Sequence, residues 1–589
     1  PHNTPEEVLF LVRHYYRVSE FHCESTVSQP YTFKVYVTPL LDRSDRGRAN
    51  PNSFFADLMY RTVGVEAEVD PNAHLAGNFQ GPNYIYGVVT RVRIMYLDDV
   101  PASSLHGEYR NFVVELTINS VFSLLDSVKN HRVYRDKNTK EVITQVFSRY
   151  KHGQGELLNI LFLGADTFVK RVQILQMGES DSTFVHRLLQ EEGLLYYFVH
   201  TKEGVTLVFA RDVVSACDDI SKKFDLSAEP LKYFRAKASS MPVAIPGEDR
   251  MPLLNCVEEF GLSSGVVPFE TAVVATTYRK FDSAPLAIAA GKSDAGSKGK
   301  MKQDRDKDPA TLDFLAQCLS AVPTLSTGQS FASTTHMCFD NFTFPQDTDA
   351  SSFLECTQNS TNDCLFTQTH FHSGGAYVWG FPALFRTMAL DDKEQIYYPV
   401  TLVLVYKDTG EDPRAAAAAA GIPTSLKASI RFVQPLSGDK LTTFLPRHNT
   451  LAERSVIPFV ATVFPFPTDL KGKKDFDPTN MVTIKPWFLR IAKTEEAAAD
   501  YVFARLTTPW AGSGDQSIRE GFLAMPKAGT EVVVVQTGLD TFVIIGAHYN
   551  SFNLAPIPSL ENLARDALET RTVTTQYARV SFTDRKSVV

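Results

Sequence analysis

The chain has 589 residues, of which 44% are hydrophobic and 21% charged, with a formal net charge of −8 and a pI near 6.0. This length exceeds what one hydrophobic core supports, so two to four domains are expected, and the acidic balance argues against a nucleic-acid-binding protein. No stretch reaches the roughly 18 consecutive apolar residues of a membrane helix.

The N-terminal sequence PHNTPEEVLFLVRHYYR has acidic residues before a short apolar run and lacks a small-residue cleavage site. It does not match a Sec signal peptide, so we expect the protein to be made and folded in a cytosol. The seven cysteines are scattered and form no CxxC pair, which favours free thiols over a disulfide framework.

Strand patterns dominate the first 210 residues. Alternating β-branched and aromatic residues predict strands at 31–37, 84–96, 111–118 and 206–210. Short helices are predicted at 120–128 and at 139–150, the second with Thr139 as its N-cap. Strands with occasional short helices predict an α+β protein built on antiparallel barrels rather than an alternating βαβ fold.

Segment 176–198 (QMGESDSTFVHRLLQEEGLLYYF) predicts an amphipathic helix that leads directly into a buried strand at 194–200. Ser180 or Asp181 can cap the helix by accepting a backbone N–H bond, and Gly193 can end it. Helical spacing predicts an apolar face of Phe184, Val185, Leu188 and Leu189, with Arg187, Gln190 and Glu191 on the opposite, polar face.

The middle of the chain differs in character. Residues 291–310 are polar, and the charged run at 292–308 predicts a solvated, mobile loop. The strand pattern returns after Ser455 and is strongest at 531–537 and 541–547. These two runs flank residues 538–540, which predict a hairpin connection.

Two short motifs are compatible with catalysis or nucleotide binding. The sequence Gly261-Leu-Ser263-Ser-Gly265 fits G-x-S-x-G, but a nucleophile elbow needs a helix after the serine, and the following VVPFETAVVATTY is strand-like. We interpret it as a Gly/Ser turn. Gly291-Lys-Ser and Gly299-Lys300 lack the upstream glycine and the apolar helix of a phosphate loop.

A third candidate is a zinc site at Cys356, Cys364, His370 and His372. These are zinc-ligand residue types, but the C-x7-C-x5-H-x-H spacing lacks a tight local half-site. The spacing therefore favours buried thiols and two histidines that share one face of a strand.

Segment 176–198 closely resembles a signature of the VgrG spike proteins of bacterial type VI secretion systems, which are related to the baseplate hub of contractile phage tails. Residues 16–37, with Glu24, Ser28 and Pro30, are similar to that family's E-x-x-x-S-x-P strand pair. Segments 86–91, 109–150, 273–290 and 442–458 also resemble the family, in the same order along the chain.

Residues 501–550 resemble the family's oligonucleotide/oligosaccharide-binding (OB) barrel, and 577–589 look like the start of its triple-stranded needle. The matching barrel positions are Pro509, Trp510, Ala511, Gly512, Gly521, Phe522, Pro526, Gly529, Glu531–Val534, Gly538, Asp540, Gly546, Tyr549 and Asn550. Three features depart from the family. Asp540-Thr541-Phe542 replaces a D-P-D-R-P turn, 290–431 matches poorly, and the needle is almost absent.

The resemblance implies a mainly β (α+β) fold with two hub-type β-barrel domains and short helices, then an OB-type barrel and the start of a β-helical needle. The expected domains are 1–455 (hub-like, with an insert at about 291–430), 456–550 (OB-type barrel) and 551–589 (linker and needle). Glu179, Asp181 and His186 then become caps and surface contacts, and we expect no catalytic, cofactor-binding or metal-binding residues and no enzyme activity.

The resemblance also implies a homotrimer that caps a hexameric Hcp-like inner tube, contacts baseplate proteins, carries a PAAR-type tip and effector or adaptor proteins, and transiently crosses a target membrane. Assembly in the bacterial cytoplasm and release with the spike are expected. Three alternatives stay open. One is the spike hub of a phage tail or extracellular injection particle, another is a spike whose 291–430 region is a hydrolytic effector, and the third is a spike on which that region is a docking surface for an effector or adaptor.

Overall fold

A computed structural model describes the following residues of the chain: 16–39, 58–59, 62–67, 83–96, 112–150, 158–163, 168, 170–192, 194–201, 204–210, 232–233, 256–264, 270–276, 287–292, 332–340, 367–373, 385–388, 394–407, 426–434, 458–473, 481–490, 501–508, 525–537 and 540–551. The predicted needle strand at 577–589 lies outside these residues.

Ten strands and three α-helices lie in the described part of the first 210 residues. The strands are β1 (Tyr16–Thr26), β2 (Thr32–Pro39), β3 (Thr62–Ala67), β4 (Asn83–Tyr96), β5 (Phe112–Asn119), β6 (Lys129–Lys137), β7 (Leu158–Leu163), β8 (Arg171–Ser180), β9 (Leu195–Thr201) and β10 (Gly204–Ala210). The helices are α1 (Val121–Leu124), which continues as a 3-10 turn (Leu125–Ser127), α2 (Thr139–Ser148) and α3 (Asp181–Glu192).

The rest of the described chain is made of strands and two 3-10 turns. The strands are β11 (Lys232–Tyr233), β12 (Cys256–Ser264), β13 (Glu270–Thr276), β14 (Ala287–Lys292), β15 (Ala332–Asp340), β16 (Thr367–Ser373), β17 (Phe385–Met388), β18 (Glu394–Lys407), β19 (Leu426–Gln434), β20 (Phe459–Val463), β21 (Val482–Pro486), β22 (Val502–Leu506), β23 (Glu531–Gln536) and β24 (Phe542–His548). The 3-10 turns are Thr468–Leu470 and Trp487–Arg490.

The largest sheet joins strands from distant parts of the chain, in the order β11-β12-β16-β19-β18-β1-β2-β5-β4-β3, with β17 beside β18. Strand β1 pairs antiparallel with β2 on one side and with β18 on the other. Strands β16 to β19 fall inside the region predicted to be an insert at about 291–430 or at its end. They are therefore framework strands of the hub sheet rather than parts of a separate module.

The hub core lies between this sheet, the helices and a three-stranded sheet in the order β7-β10-β9. The predicted apolar face of α3 is confirmed, because Phe184, Val185, Leu188 and Leu189 are all fully buried. Each such side chain contributes about 1.5–3 kcal/mol through its burial. The predicted buried strand that follows is also confirmed, as β9.

Helices α2 and α3 start at side-chain caps. Ser180 Oγ accepts the Thr183 N–H at 3.1 Å, which confirms Ser180 as a cap of α3. The predicted Thr139 cap of α2 is wrong. Asn138 caps that helix in a reciprocal capping box with Glu141, at 2.8 and 3.0 Å, while buried Thr139 donates its hydroxyl to Glu192. Asn138 rather than Thr139 is the cap because its side-chain oxygen accepts the N–H of Glu141, three residues ahead.

Strands β20 to β24 close into a five-stranded barrel in the order β20-β21-β22-β24-β23. Only β22 and β24 pair in parallel, and β23–β20 pairing closes the ring. Alternate residues of β23, Val532 and Val534, point into a core that also contains Ile484 and Ile544. The predicted OB-type barrel, its 531–547 hairpin and the mainly β fold class are confirmed. The domain boundaries 1–455, 456–550 and 551–589 stay predictions.

None of the helices in the described part of the chain is long and apolar enough to cross a membrane.

Candidate functional site at the hub–barrel junction

The antiparallel β6–β8 pair lies between the hub core and the barrel, and it carries the contacts that join them. Leu175 of β8 is buried within the barrel core cluster, and Val133 and Met177 pack against the same cluster. On its other side, Ile174 of β8 belongs to the hub core. One strand thus contributes alternate side chains to two cores, as the period of two in a strand allows.

The side-chain amide of Gln173, on β8, forms hydrogen bonds with backbone groups of the barrel. Its Oε1 accepts the Phe503 N–H at 2.9 Å, and its Nε2 donates to the Phe503 carbonyl at 3.2 Å and to the Asp540 carbonyl at 2.7 Å. Gln173 is fully buried. Because unpaired buried polar groups cost free energy, these three bonds fix the position of β22 relative to β8.

Asp540, in the β23–β24 connection, is the acidic residue of the junction and is only 4% exposed. Its Oδ1 accepts the Leu175 N–H at 3.0 Å and lies 3.8 Å from a guanidinium nitrogen of Arg187. Its Oδ2 lies 3.9 Å from a guanidinium nitrogen of Arg171. The barrel therefore places one carboxylate between two arginines of the hub.

Both arginines are also held by hub residues. Arg187 of α3, which is 1% exposed, donates to Glu179 at 2.8 Å and to the Leu175 carbonyl. Arg171 donates to Glu192 at 3.1 Å, and Glu192 accepts the Thr139 hydroxyl at 2.7 Å. Strand β8 and helices α2 and α3 thus hold the guanidinium groups that face Asp540.

A second buried network surrounds Asp181, whose exposure is 0%. Its carboxylate accepts bonds from Arg132 at 3.0 Å, Asn130 at 2.8 Å, Gln176 at 2.7 Å and the Tyr150 hydroxyl at 2.8 Å. Partial burial, and then the bond to this carboxylate, raise the pKa of Tyr150 well above its usual value. Asp181 therefore ties the start of α3 to β6 and to Tyr150, two residues after the end of α2.

His186 belongs to the hub core. Its Nε2 lies 2.8 Å from the Tyr196 hydroxyl and its ring packs against Phe122 with centroids 4.6 Å apart. Phe122 in turn stacks on Tyr196 at 4.7 Å. The residue is 5% exposed, so this histidine packs α3 against β9.

The interpretation of Asp181 and His186 as surface contacts, and of Arg187 as part of a polar outer face, is wrong. All three are buried, and Glu179 is bound to Arg187. Helical periodicity assigns a charged residue to solvent unless a partner is known, and here the partners come from β6 and from a barrel turn more than 350 positions away. The close similarity of these charged positions to the VgrG signature was the only sequence signal that singled them out.

Two aromatic contacts extend the junction along β6. The His131 ring packs on Phe488 of the barrel with centroids 5.1 Å apart, and partial burial lowers the pKa of this histidine. The Arg135 guanidinium lies 3.6 Å from the ring centroid of Tyr501. These contacts cover both ends of the β6–β8 pair with barrel side chains.

Where the structure describes them, the motifs considered for catalysis or nucleotide binding lie on strands other than the β6–β8 pair. Gly261 and Ser263 are within strand β12, so the predicted Gly/Ser turn is wrong and the serine is not on a strand-to-helix elbow. Gly291 and Lys292 end strand β14, where a mobile loop was predicted. Gly265, Ser293, Gly299 and Lys300 lie outside the described residues.

His370 and His372 occupy alternate positions of strand β16, as predicted. Cys356 and Cys364 lie outside the described residues, so the zinc hypothesis stays untested. Among the residues that the structure describes, no group of three or more His, Cys, Asp or Glu side chains could hold a metal ion.

A family model described as phage tail baseplate hub matches residues 24–280, which include β8, α3 and every hub residue of the junction. A search of curated proteins finds no match.

Among solved structures, a chain of the half-lidded Francisella PdpA–VgrG complex has a TM-score of 0.51 at 10% identity, covering 91% of this chain and 74% of that chain. The lidded form of that complex has a TM-score of 0.51 at 7% identity, covering 92% and 68%. The E. coli c3393 protein, described as a type VI secretion component similar to T4 tail proteins gp27 and gp5, has a TM-score of 0.48 at 11% identity, covering 90% and 97%.

The family model and the two PdpA–VgrG structures confirm the predicted resemblance: residues 24–280 match the baseplate hub model, and most of the chain has the fold seen in the PdpA–VgrG complex. Each carboxylate of the junction accepts hydrogen bonds from neighbouring protein groups, so these side chains hold the fold together.

Proposed function

We propose that this protein is the spike-hub subunit of a contractile injection machine of the type VI secretion class. The observation that carries the proposal is the combination, in one chain, of a baseplate hub domain at 24–280 and a closed five-stranded barrel at 459–548 docked on it. A hub domain alone would only close the end of an inner tube. A hub with an attached barrel extends the assembly beyond that end, as a spike requires.

The working form is a homotrimer. Several large apolar side chains of the barrel region are exposed, among them Trp487 at 54%, Ile545 at 55% and Tyr549 at 68%. Exposed apolar side chains of this size favour association when they form a contiguous patch. The needle strand predicted at 577–589 would also have unpaired edges, which close only when several chains wind together.

In this proposal the trimer caps a hexameric Hcp-like inner tube and is held by baseplate proteins. It carries a PAAR-type tip and effector or adaptor proteins, and it is driven through a target membrane when the surrounding sheath contracts. The subunit assembles in the bacterial cytoplasm and leaves the cell with the spike. The sheath supplies the force, so this chain needs stiffness rather than catalysis.

Light scattering on the purified full chain tests the trimer. We expect three times the chain mass of 65.6 kDa, unchanged on dilution through the micromolar range. Particle images should show a three-fold spike with a six-fold-like base. A monomeric mass at micromolar concentration would contradict the proposal.

The description of the matching family as a phage hub favours a second candidate, the spike hub of a phage tail or extracellular injection particle. The genes beside this one distinguish the two. Neighbours that encode a membrane-spanning secretion complex support the secretion class, and neighbours that encode phage head proteins support the phage class.

The hydrolytic alternative for 291–430 needs an assay on the intact chain. Strand β18 of that region pairs with β1, so deleting the region would remove hub framework as well as any enzyme. Cell-wall and lipid hydrolysis by the full chain is the appropriate test, and turnover of either substrate would favour the effector hypothesis.

A further inference from the structure

The barrel meets the hub at two polar contact points within one chain. One is the Asp540 carboxylate between Arg171 and Arg187, and the other is the Gln173 amide on the backbone of Phe503 and of Asp540 itself. We propose that Asp540 is the positioning residue that fixes the orientation of the barrel on the hub, so that the two move as one rigid body.

The first reason is the strength and direction of the contact. Asp540 is 4% exposed, so its attraction to the two guanidinium groups is weakly screened by water. The Leu175 N–H donates to this carboxylate, and because hydrogen bonds weaken steeply when donor and acceptor are misaligned, this bond also fixes the direction of the side chain. A carboxylate with one backbone hydrogen bond and two guanidinium groups around it holds the β23–β24 connection in one place.

The second reason is that contacts within the hub already hold the two arginines that face Asp540. Arg187 is held by Glu179 and by the Leu175 carbonyl, and Arg171 is held by Glu192. Preorganised partners lose little conformational freedom on contact. The receptor for Asp540 therefore belongs to the hub fold itself.

The third reason is geometric. A single contact would let the barrel pivot about it, but the hub holds both Asp540, which lies after β23, and Phe503, which lies on β22. Gln173 bonds to the backbone of both residues, and the Asp540 carboxylate adds its own contacts, so with Leu175 buried in the barrel core cluster the barrel is held at more than one point. This inference concerns one chain and holds whether or not three chains assemble.

The experiment measures the distance between hub and barrel in the full chain. Spin labels are attached through unnatural amino acids at exposed Thr144 of α2 and Lys471 of the barrel region, and labelled protein is diluted with unlabelled protein so that distances within one chain dominate. Unnatural amino acids are needed because the chain has seven cysteines.

We expect one narrow distance distribution for the native sequence and a broad one for Asp540→Ala. Asp540→Asn should give an intermediate width, because its side-chain oxygen still accepts the Leu175 N–H while the charge is lost. Asp469→Ala, at an exposed acid of the barrel, should leave the distribution narrow. Light scattering on the same samples separates this outcome from loss of the trimer.

Hydrogen exchange at Leu175 gives a second readout that general folding would not reproduce. Asp540→Ala should speed exchange of this amide by about tenfold or more while the β5 and β10 amides keep their protection. An Asp540→Ala protein with a native distance distribution and native Leu175 exchange would overturn the proposal. If Asp540→Ala does not fold, the Asp540→Asn distribution decides, and a native width there also overturns it.

Discussion

Asp181 is the residue at which a single change should cost most in the hub. Its fully buried carboxylate pairs with Arg132, which is itself only 10% exposed. Asp181→Ala would leave that guanidinium without its carboxylate in a poorly solvated site, so the free energy of unfolding of the hub should fall by about 3–5 kcal/mol. Urea unfolding followed by circular dichroism measures the change.

A matched control for this prediction is Asp469→Ala, which removes an exposed carboxylate and should shift stability by less than about 0.5 kcal/mol. Equal destabilisation by both substitutions would show that the buried network has no special weight.

His200 makes the stability of the hub sensitive to acid. Its ring centroid lies 5.0 Å from that of Tyr31, and its Nδ1 accepts the Tyr86 N–H at 3.3 Å. Burial lowers the pKa of this histidine to about 3. The folded protein therefore keeps this ring neutral, whereas the unfolded chain takes up a proton below pH 6.5. Stability contributed by this group is complete above pH 6.5 and is lost as the pH falls toward 3.

The test compares the native chain with His200→Gln, whose side-chain oxygen can still accept the Tyr86 N–H but cannot titrate. Between pH 7 and pH 5 the native chain should lose about 1–2 kcal/mol more than the variant. Other ionisable groups are the same in both proteins and cancel in the difference. Identical pH dependence for the two proteins would refute the assignment.

Sequence reasoning identified the apolar residues of α3 and misplaced the charged ones, for a physical reason. Burial of Leu188 follows from spacing along one helix, which is local information. Burial of Arg187 depends on Asp540, which no local pattern connects to it. The cost of a buried charge makes exposure the default interpretation, and only the three-dimensional partners overturn it.

At the scale of elements, α2 offers a clean test of local structure. Asn138→Ala removes the side chain that accepts the Glu141 N–H, so it should destabilise the hub by about 1 kcal/mol. Thr144→Ala, at an exposed position of the same helix, should have an effect near zero. Thermal unfolding measures both, and an Asn138→Ala protein as stable as the native one would contradict the capping assignment.

The β1–β2 hairpin shows what pattern matching can and cannot supply. The E-x-x-x-S-x-P similarity marked Ser28, but gave no reason for a serine there. In the structure Ser28 has a φ of +61°, its N–H donates to the Tyr196 carbonyl at 2.7 Å, and its Oγ accepts the Tyr196 N–H at 3.4 Å. Two segments recognised separately from the sequence thus contact each other, and these bonds offset the strained backbone.

At the scale of the whole molecule, prediction from the sequence is least accurate where strands that are far apart in the chain are neighbours in the sheet. Region 291–430 matches the family poorly, so it was interpreted as an insert. Strand β18 nevertheless lies between β1 and β19 in the sheet. Strand pairing constrains the backbone and tolerates divergent side chains, which is why a framework strand can lack a recognisable sequence pattern.

This placement predicts opposite outcomes for two changes within the predicted insert. Val403 of β18 pairs with Glu24 of β1 and Ser429 of β19, so Val403→Pro removes a ladder donor in a central strand and should prevent the hub from folding. Removing residues 296–308, part of the charged run predicted from the sequence to be a solvated loop, should leave a folded hub of native stability.

Circular dichroism and gel filtration of both variants measure the result, and Val403→Thr is the control because threonine keeps the donor and the β-branched shape. A soluble, cooperatively folded Val403→Pro protein would mean that β18 is dispensable and that the region is an appended module after all. If Val403→Pro fails to fold while Val403→Thr folds, the hub sheet needs β18 as well as β1, because β1 pairs with β18 along one of its two edges.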